Sequence, residues 1–229
     1  MRFKKWKNQY IDLVQSLPPE LILACEADQF SEQELASLTT RLSAFDHLIL
    51  DIGCGSGGHV VELASRTPAA LHLGIELRFK RAYRAAEKGA RAGLNNLYIV
   101  RNEARRTLDA LPDGSVNGAY VNFPDPWAKR RWEKHRLLNS SFLKLLHGKL
   151  KPDGFLSYKT DHSEYFEQTA QLVQELGSFE IVKASTTDSA SVVEDHKILT
   201  EFERLFRSKG TSVSCLVVKK IAASSLSNI

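Results

Sequence analysis

The sequence predicts an α/β protein: one doubly wound, mostly parallel sheet of seven strands, with helices on both faces and the last strand antiparallel. Three observations predict it. Five short apolar runs, HLILDIG (47–53), LHLGIE (71–76), NLYIV (96–100), GAYVNF (118–123) and FLSYKT (155–160), are each followed by a helical pattern. Such β-then-α alternation specifies parallel strands joined by crossover helices. The first run empties into a glycine-rich turn, DIGCGSGGH (51–59), which opens a helix. Two late runs, FEIVKA (179–184) and SVSCLVVKK (212–220), have little helix between them, so one of the two enters the sheet antiparallel.

The elements follow in order. Residues 1–30 are interrupted by Pro18-Pro19 and read as a basic, mobile N-terminal extension. Ser31 and Glu34 form a capping-box pattern, with Leu35, Leu38 and Leu42 at helical spacing behind it. HLILDIG is a buried strand, and VVELASR (60–66) is a helix that stops near Pro68. LHLGIE precedes an Ala/Arg/Lys-rich helix over 79–92 that ends at Gly93, and NLYIV precedes a short helix and the turn PDGS (112–115). After GAYVNF, residues 134–150 read as helical, with Leu137, Leu138, Phe142, Leu145 and Leu146 on one face. KPDG (151–154) is a turn before FLSYKT. Asp161 or Ser163 caps the next helix, which closes at Gly177. Residues 186–199 are a long insertion, 31–220 one domain, and 221–229 a tail.

The totals narrow the function classes. With 229 residues and 43 % apolar content, the chain can bury one substantial core. Three cysteines, far apart and without CxxC, suggest neither a disulfide framework nor a zinc site, and the seven histidines lack metal-ligand spacing. No apolar run reaches the roughly 18 residues of a membrane span, and no signal-peptide core follows the basic start. A cytoplasmic protein without a metal is expected. Net charge is +4, and it is concentrated: residues 129–136 hold five basic side chains against Glu133, and residues 1–7 hold four with no acid. Without those two stretches 22 basic and 26 acidic residues remain, so a slightly acidic body carries two basic patches, as a protein that touches a polyanion at defined places would.

In a doubly wound sheet the ligand lies beyond the carboxyl ends of the strands. Acids stand at or just past five of those ends: Asp51, Glu76, Glu103 (after Asn102), Asp125 and Asp161. Singly, each reads as a cap or a solvated carboxylate; five on one edge read as a site. The glycine loop fits GxGxxG through Gly53, Gly55 and Gly58, as in nicotinamide dehydrogenases. It also fits GxGxG through Gly53, Gly55 and Gly57, the spacing of S-adenosylmethionine enzymes. Glu76, 25 residues after Asp51, could take ribose hydroxyls in either case. Charge separates the two. S-adenosylmethionine bears a sulfonium and an ammonium and no phosphate, so a ring of Asp51, Glu76, Glu103 and Asp125 attracts it, whereas a pyrophosphate would be repelled.

The motifs LDIGCGSG, GIE (74–76), NFPDPWAKRRWEKHRLL (122–138), KTD (159–161) and TEFE (200–203) together resemble the tRNA (guanine-N7-)-methyltransferase family, Rossmann-like class I methyltransferases, over roughly residues 45–220. The resemblance implies S-adenosylmethionine as cofactor, held by Asp51, Gly53, Gly55, Glu76, Glu103 and Asp125, with Asp125 also catalytic. It implies tRNA as substrate, methylated at guanosine 46 of the variable loop. Lys129, Asp161 and the segment Thr200 to Glu203 would contact the substrate, and Arg131, Lys134 and Arg136 would lie along the RNA. Three positions depart from the family pattern: Asp51 stands where glutamate is common, Glu103 where Asp or Asn is common (with Asn102 as a substitute contact), and Trp132 and Glu133 interrupt the basic run. Trp132 dilutes the charge but adds a stacking surface. Pro124 and Pro126 fix the backbone on both sides of Asp125. Two alternatives remain at this level: a small-molecule methyltransferase, and a non-catalytic RNA-binding module on the same scaffold.

Overall fold

A computed structural model describes residues 8–25, 29–185 and 198–221. The basic stretch 1–7, most of the insertion and the tail lie outside the described residues. Eight strands form one sheet: β1 (Ile22–Ala24), β2 (His47–Ile52), β3 (Ala70–Ile75), β4 (Leu97–Arg101), β5 (Val116–Asn122), β6 (Leu150–Thr160), β7 (Phe179–Ser185) and β8 (Ser214–Lys220), in the spatial order β1-β4-β3-β2-β5-β6-β8-β7. Only β8 runs against its neighbours, pairing antiparallel with both β6 and β7. The mostly parallel sheet with an antiparallel last strand is as expected; the strand count is one higher.

The added strand corrects the reading of residues 1–30. Helix α1 (Gln9–Gln15) is capped by the Asn8 side chain, and β1 pairs parallel with β4, so residues 8–24 belong to the domain. Their apolar residues Val14 and Ile22 are buried with α3 (Gly58–Arg66) and α4 (Phe79–Arg91) on one face of the sheet. The larger core fills the other face, beneath α2 (Glu32–Ser43), α5 (Ala104–Ala110), α6 (Ser140–Lys149) and α7 (Ser163–Leu176). Buried Asn96 donates to the carbonyls of Ala64, Thr67 and Ala70, tying the end of α3 to the start of β3.

Three local readings change. The helix expected over 134–150 is instead a 3-10 turn at Arg130–His135 followed by α6, because Asn139 caps α6 through Phe142 N and the backbone at Arg136 leaves helical geometry. His162 caps α7 through Tyr165 N, in place of Asp161 or Ser163, and the helix does close at Gly177. Between the last two strands lies α8 (Glu201–Ser208), capped by Thr200. The chain runs outward from β2 through β3 to β4, then returns beside β2 as β5. The crevice at that reversal is where an open α/β sheet binds ligands.

Candidate active site

A cleft of about 690 Å3, part of it open to solvent, occupies that crevice. Asp51 at the end of β2, the glycine loop, His59, Asn122 and Phe123 at the end of β5, Arg81 on α4, and Thr200, Glu201 and Phe202 at the start of α8 line it.

The loop is built from backbone bonds. Gly53 N and Cys54 N both donate to Ile75 O, at 2.8 and 3.1 Å. Gly55 N donates to Glu76 Oε2 at 3.1 Å, while Glu76 Oε1 accepts from Arg78 N at 2.8 Å. Gly53, Gly55 and Gly57 all have positive φ, the conformation only glycine adopts freely, so the backbone uses the GxGxG spacing rather than GxGxxG. A Cβ on Gly57 would lie 2.7 Å from Ala85 Cα, whereas one on Gly53 or Gly55 would meet nothing within 4 Å. Gly57 is therefore glycine for packing against α4, and Gly53 and Gly55 keep the cleft floor open.

Asp51 is 2 % exposed, and its Oδ2 lies 2.9 Å from His59 Nδ1. Asn122 Nδ2 also approaches that nitrogen, at 3.5 Å. A carboxylate only accepts and an amide nitrogen only donates, so the shorter contact decides: Nδ1 carries the hydrogen and donates to Asp51. Cys54 reports the local field. Burial first, then the negative charges of Asp51 and Glu76, push its thiol well above the ordinary range, so it stays neutral. Asp51 and Glu201 line the cleft against one lining arginine, Arg81, and Glu76 stands behind the loop, so the floor favours a cation.

The other expected cofactor contacts divide. Glu76 is buried, but each of its oxygens already accepts one backbone N–H and keeps one further acceptor position. Glu103 points outward, exposed, with its carboxylate 3.2 Å from Arg106, which removes it from the cofactor set. Asn102 is the buried residue at this strand end: it is 4 % exposed, its Oδ1 accepts from Glu103 N, and its side chain also meets the buried Cys25 thiol. An open glycine floor bordered by the buried carboxylates of Asp51 and Glu76 fits a cationic nucleoside.

Asp125 is exposed, two residues beyond the cleft wall at Phe123. Its frame is tighter than two prolines alone would make it. Phe123 (φ 51) and Trp127 (φ 46) are non-glycine residues held in the left-handed region, bracketing Pro124-Asp125-Pro126. Each such residue costs on the order of 1–3 kcal/mol and persists only where its surroundings over-determine it. Phe123 N donates to Lys159 O at 2.8 Å, and the Phe123 ring packs on Phe206 at 5.3 Å. At the far end Arg136 Nε donates to Pro126 O at 2.8 Å.

That bond corrects the reading of Arg136 as an RNA contact. Its side chain is 1 % exposed; it also donates to Gln168 Oε1 at 2.5 Å and Glu164 Oε1 at 3.3 Å, and its guanidinium lies over Tyr165. It is a rivet between the 124–127 turn and α7, out of reach of any phosphate. Lys129, Arg131 and Lys134 remain exposed. Lys129 and Arg131 sit over the Trp132 ring at 4.8 and 4.9 Å, and Trp132 meets Trp127 edge-on.

Of the late motif, Thr200 lines the cleft while its Oγ1 accepts from Glu203 N. Glu203 is 2 % exposed and is engaged by Lys159 at 2.8 Å and Arg207 at 3.1 Å, so its role is to hold α8 against β6 rather than to meet substrate. Asp161 is exposed just past β6. Glu201, assigned with its segment to the substrate, instead accepts from Ser56 Oγ and from Lys88 Nζ, each at 3.2 Å, and so latches α8 over the glycine loop. Burial alone would raise its carboxyl, but the hydrogen bond and charge of Lys88, with Ser56, lower it. The quoted TEFE contained it; only the fold brings it to Ser56. His59, eight residues after Asp51 and directly behind the glycines, carried a readable signal.

Comparison with known proteins gives the family. A family profile described as putative methyltransferase matches residues 46–216. A tRNA (guanine-N(7)-)-methyltransferase of Mycoplasma genitalium is 30 % identical, over 96 % of this chain and 100 % of that protein. This chain belongs to the tRNA (guanine-N7-)-methyltransferase family. Another family relative, from Lactobacillus gasseri, is 32 % identical over 74 % of this chain and 78 % of its own. A bifunctional glycosyltransferase/methyltransferase of Fusobacterium nucleatum is 34 % identical over 77 % of this chain, which spans only 27 % of that relative. Among solved structures, the 16S rRNA methyltransferase KamB superposes with TM-score 0.62 at 20 % identity, covering 85 % of this chain and 95 % of that one, a likeness of fold.

Among the described residues no three His, Cys, Asp or Glu side chains gather as a metal site, and no helix is long and apolar enough to cross a membrane.

Proposed function

We propose that this protein transfers a methyl group from S-adenosylmethionine to N7 of a guanine in tRNA, guanosine 46 of the variable loop. One observation carries the reading: an anionic, glycine-floored cleft at the sheet's reversal point lies directly beside a rigid acidic turn and exposed Lys129, Arg131 and Lys134 interleaved with Trp127 and Trp132. The cleft suits a cationic nucleoside, and the adjoining surface suits a phosphate backbone with unstacked bases. The names of the family relatives support the same substrate.

S-adenosylmethionine supplies, when bound, an electrophilic methyl on a sulfonium. Asp51, steadied by His59, and Glu76 supply negative charge at the cradle, and Gly53 and Gly55 supply open floor. Guanine N7 is an in-plane lone pair with no proton to remove, so no strong general base is needed, and orientation provides most of the acceleration. The ring becomes cationic as N7 gains the methyl. The Asp125 carboxylate, held at the cleft rim, opposes that developing charge.

The test is to incubate the protein with tRNA and S-adenosylmethionine and map N7-methylguanosine by borohydride–aniline cleavage. Cleavage at one variable-loop guanine is expected; methylation of metabolites with none in tRNA overturns the reading. Asp125→Asn should lose about 100-fold in turnover with cofactor affinity within a few-fold, and unchanged turnover removes Asp125 from the chemistry.

A further inference from the structure

The basic stretch with the most cations is neither of the two at residues 1–7 and 129–136. Residues 78–91, the start and body of α4, hold six cations, Arg78, Lys80, Arg81, Arg84, Lys88 and Arg91, against Glu87 alone. Its buried face is small, with Ala82, Ala85, Ala86 and Gly89 packed on the sheet. At about 100° per residue, Lys80, Arg81, Arg84, Lys88 and Arg91 fall within roughly 100° of arc on the opposite side, over a length of about 16 Å. Lys80, Arg81, Arg84 and Arg91 are exposed. Lys88 is held by Glu201 and Arg91 by Glu87, but Arg78, Arg81 and Arg84 form no ion pair with a described residue. Stabilising the helix does not account for this charge, because a cluster of like charges on one face repels itself.

The position supplies the occupant. Arg81, on the helix that follows β3, lines the cleft together with Phe123 at the end of β5, and β3 and β5 flank β2 on its two sides; Phe123 leads into Asp125 and the exposed cations 129–134. A base extruded into the cleft leaves its flanking phosphates at the two rims. One rim is the 129–134 surface, and the other is the N-terminal end of α4. With 78–91 set aside as well as 1–7 and 129–136, the chain retains 16 basic and 25 acidic residues, so the rest of the protein is acidic on balance and discourages a polyanion.

We infer that the exposed face of α4 is a second phosphate-binding strip, across which the tRNA backbone runs as it leaves the cleft on the side away from residues 129–134. The inference rests on the proposed RNA substrate and specifies how that substrate is gripped. The strip reads no sequence; it fixes where the RNA lies.

The test compares Lys80→Glu/Arg84→Glu with Arg131→Glu, leaving Arg81 intact because it lines the cleft. Binding of unmodified tRNA is measured from 50 to 300 mM salt, with cofactor affinity by calorimetry and turnover at saturating tRNA. The α4 variant is expected to bind tRNA at least tenfold more weakly and to lose about two units of salt slope, and Arg131→Glu about one. Cofactor affinity and saturated turnover should stay within threefold for the α4 variant. An unchanged slope in the α4 variant beside a reduced one in Arg131→Glu overturns the strip and leaves the RNA substrate standing. No salt-dependent tRNA binding by the unaltered protein overturns both. Should charge reversal unfold the chain, Lys80→Gln/Arg84→Gln carries the same readout with about half the effect.

Discussion

Two halves of the candidate site sit side by side and are held in different ways. Residues 51–59 are fixed along their length: Asp51 to His59, Gly53 and Cys54 to Ile75, Gly55 to Glu76, and Gly57 against Ala85. Residues 123–136 are fixed chiefly at their ends, by Phe123 N on Lys159 and by the buried Arg136, while Asp125, Trp127, Lys129, Arg131 and Lys134 between them face solvent. A cradle for a small cofactor gains from rigidity at every residue, since it meets one shape. A surface for a large, flexible polyanion needs a defined anchor and adaptable side chains beyond it. The contrast implies that damage to the first half spreads, and damage to the second stays with substrate.

Gly57→Ala is the largest expected effect and the sharpest test of the first half. The added methyl meets backbone at 2.7 Å, and the residue keeps φ +83, so both overpacking and strain apply. Together they should destabilise the fold by about 2–4 kcal/mol and abolish measurable cofactor binding, read by thermal melting and calorimetry. Full cofactor affinity in a folded Gly57→Ala protein would break the claim that the loop is rigid.

Arg136→Met tests the second half. The guanidinium holds three acceptors in three directions, and a lysine cannot reproduce that fork. Glu164 is 62 % exposed and rehydrates when released, so the loss in stability is limited to about 1–3 kcal/mol. The turn carrying Asp125 loses its rivet, so turnover should fall at least tenfold while cofactor affinity holds within threefold. Equal losses in both would mean that the halves are one mechanical unit.

The same difference decides what was legible in the sequence. The cradle is made of backbone conformations and strand ends, which leave local marks: glycines at alternate positions and acids after apolar runs. Those marks single out Asp51, Gly53 and Gly55, which line the cleft, and Glu76, which is bonded to the loop behind it. The outer half depends on side chains meeting across the fold. Nothing near Arg136 in the chain tells it from Arg131, and only α7, nearly thirty residues on, turns it inward. Glu103 failed by one position, because a strand end fixes direction only to within a residue and Asn102 is the one facing in. The strand at Ile22–Ala24 was hidden by its length of three residues, too short to show a period.

Glu201 spans the boundary between the halves and carries the smallest expected effect. It reaches from α8 to Ser56 in the glycine loop and to Lys88 on α4. Its carboxyl is lowered in the folded protein, so it binds protons less readily folded than unfolded. The stability it contributes is therefore complete above the ordinary carboxylate range and is lost as pH falls below about 4.5. The side chain is 60 % exposed, so screening limits the contribution to at most about 0.5 kcal/mol. Glu201→Gln should lower the melting temperature by about a degree at pH 7 in low salt and by progressively less as pH falls below the ordinary carboxylate range, with the difference vanishing in 1 M salt. A larger loss at pH 7, with cofactor affinity falling in step, would make the latch part of the cradle and move α8 into the rigid half.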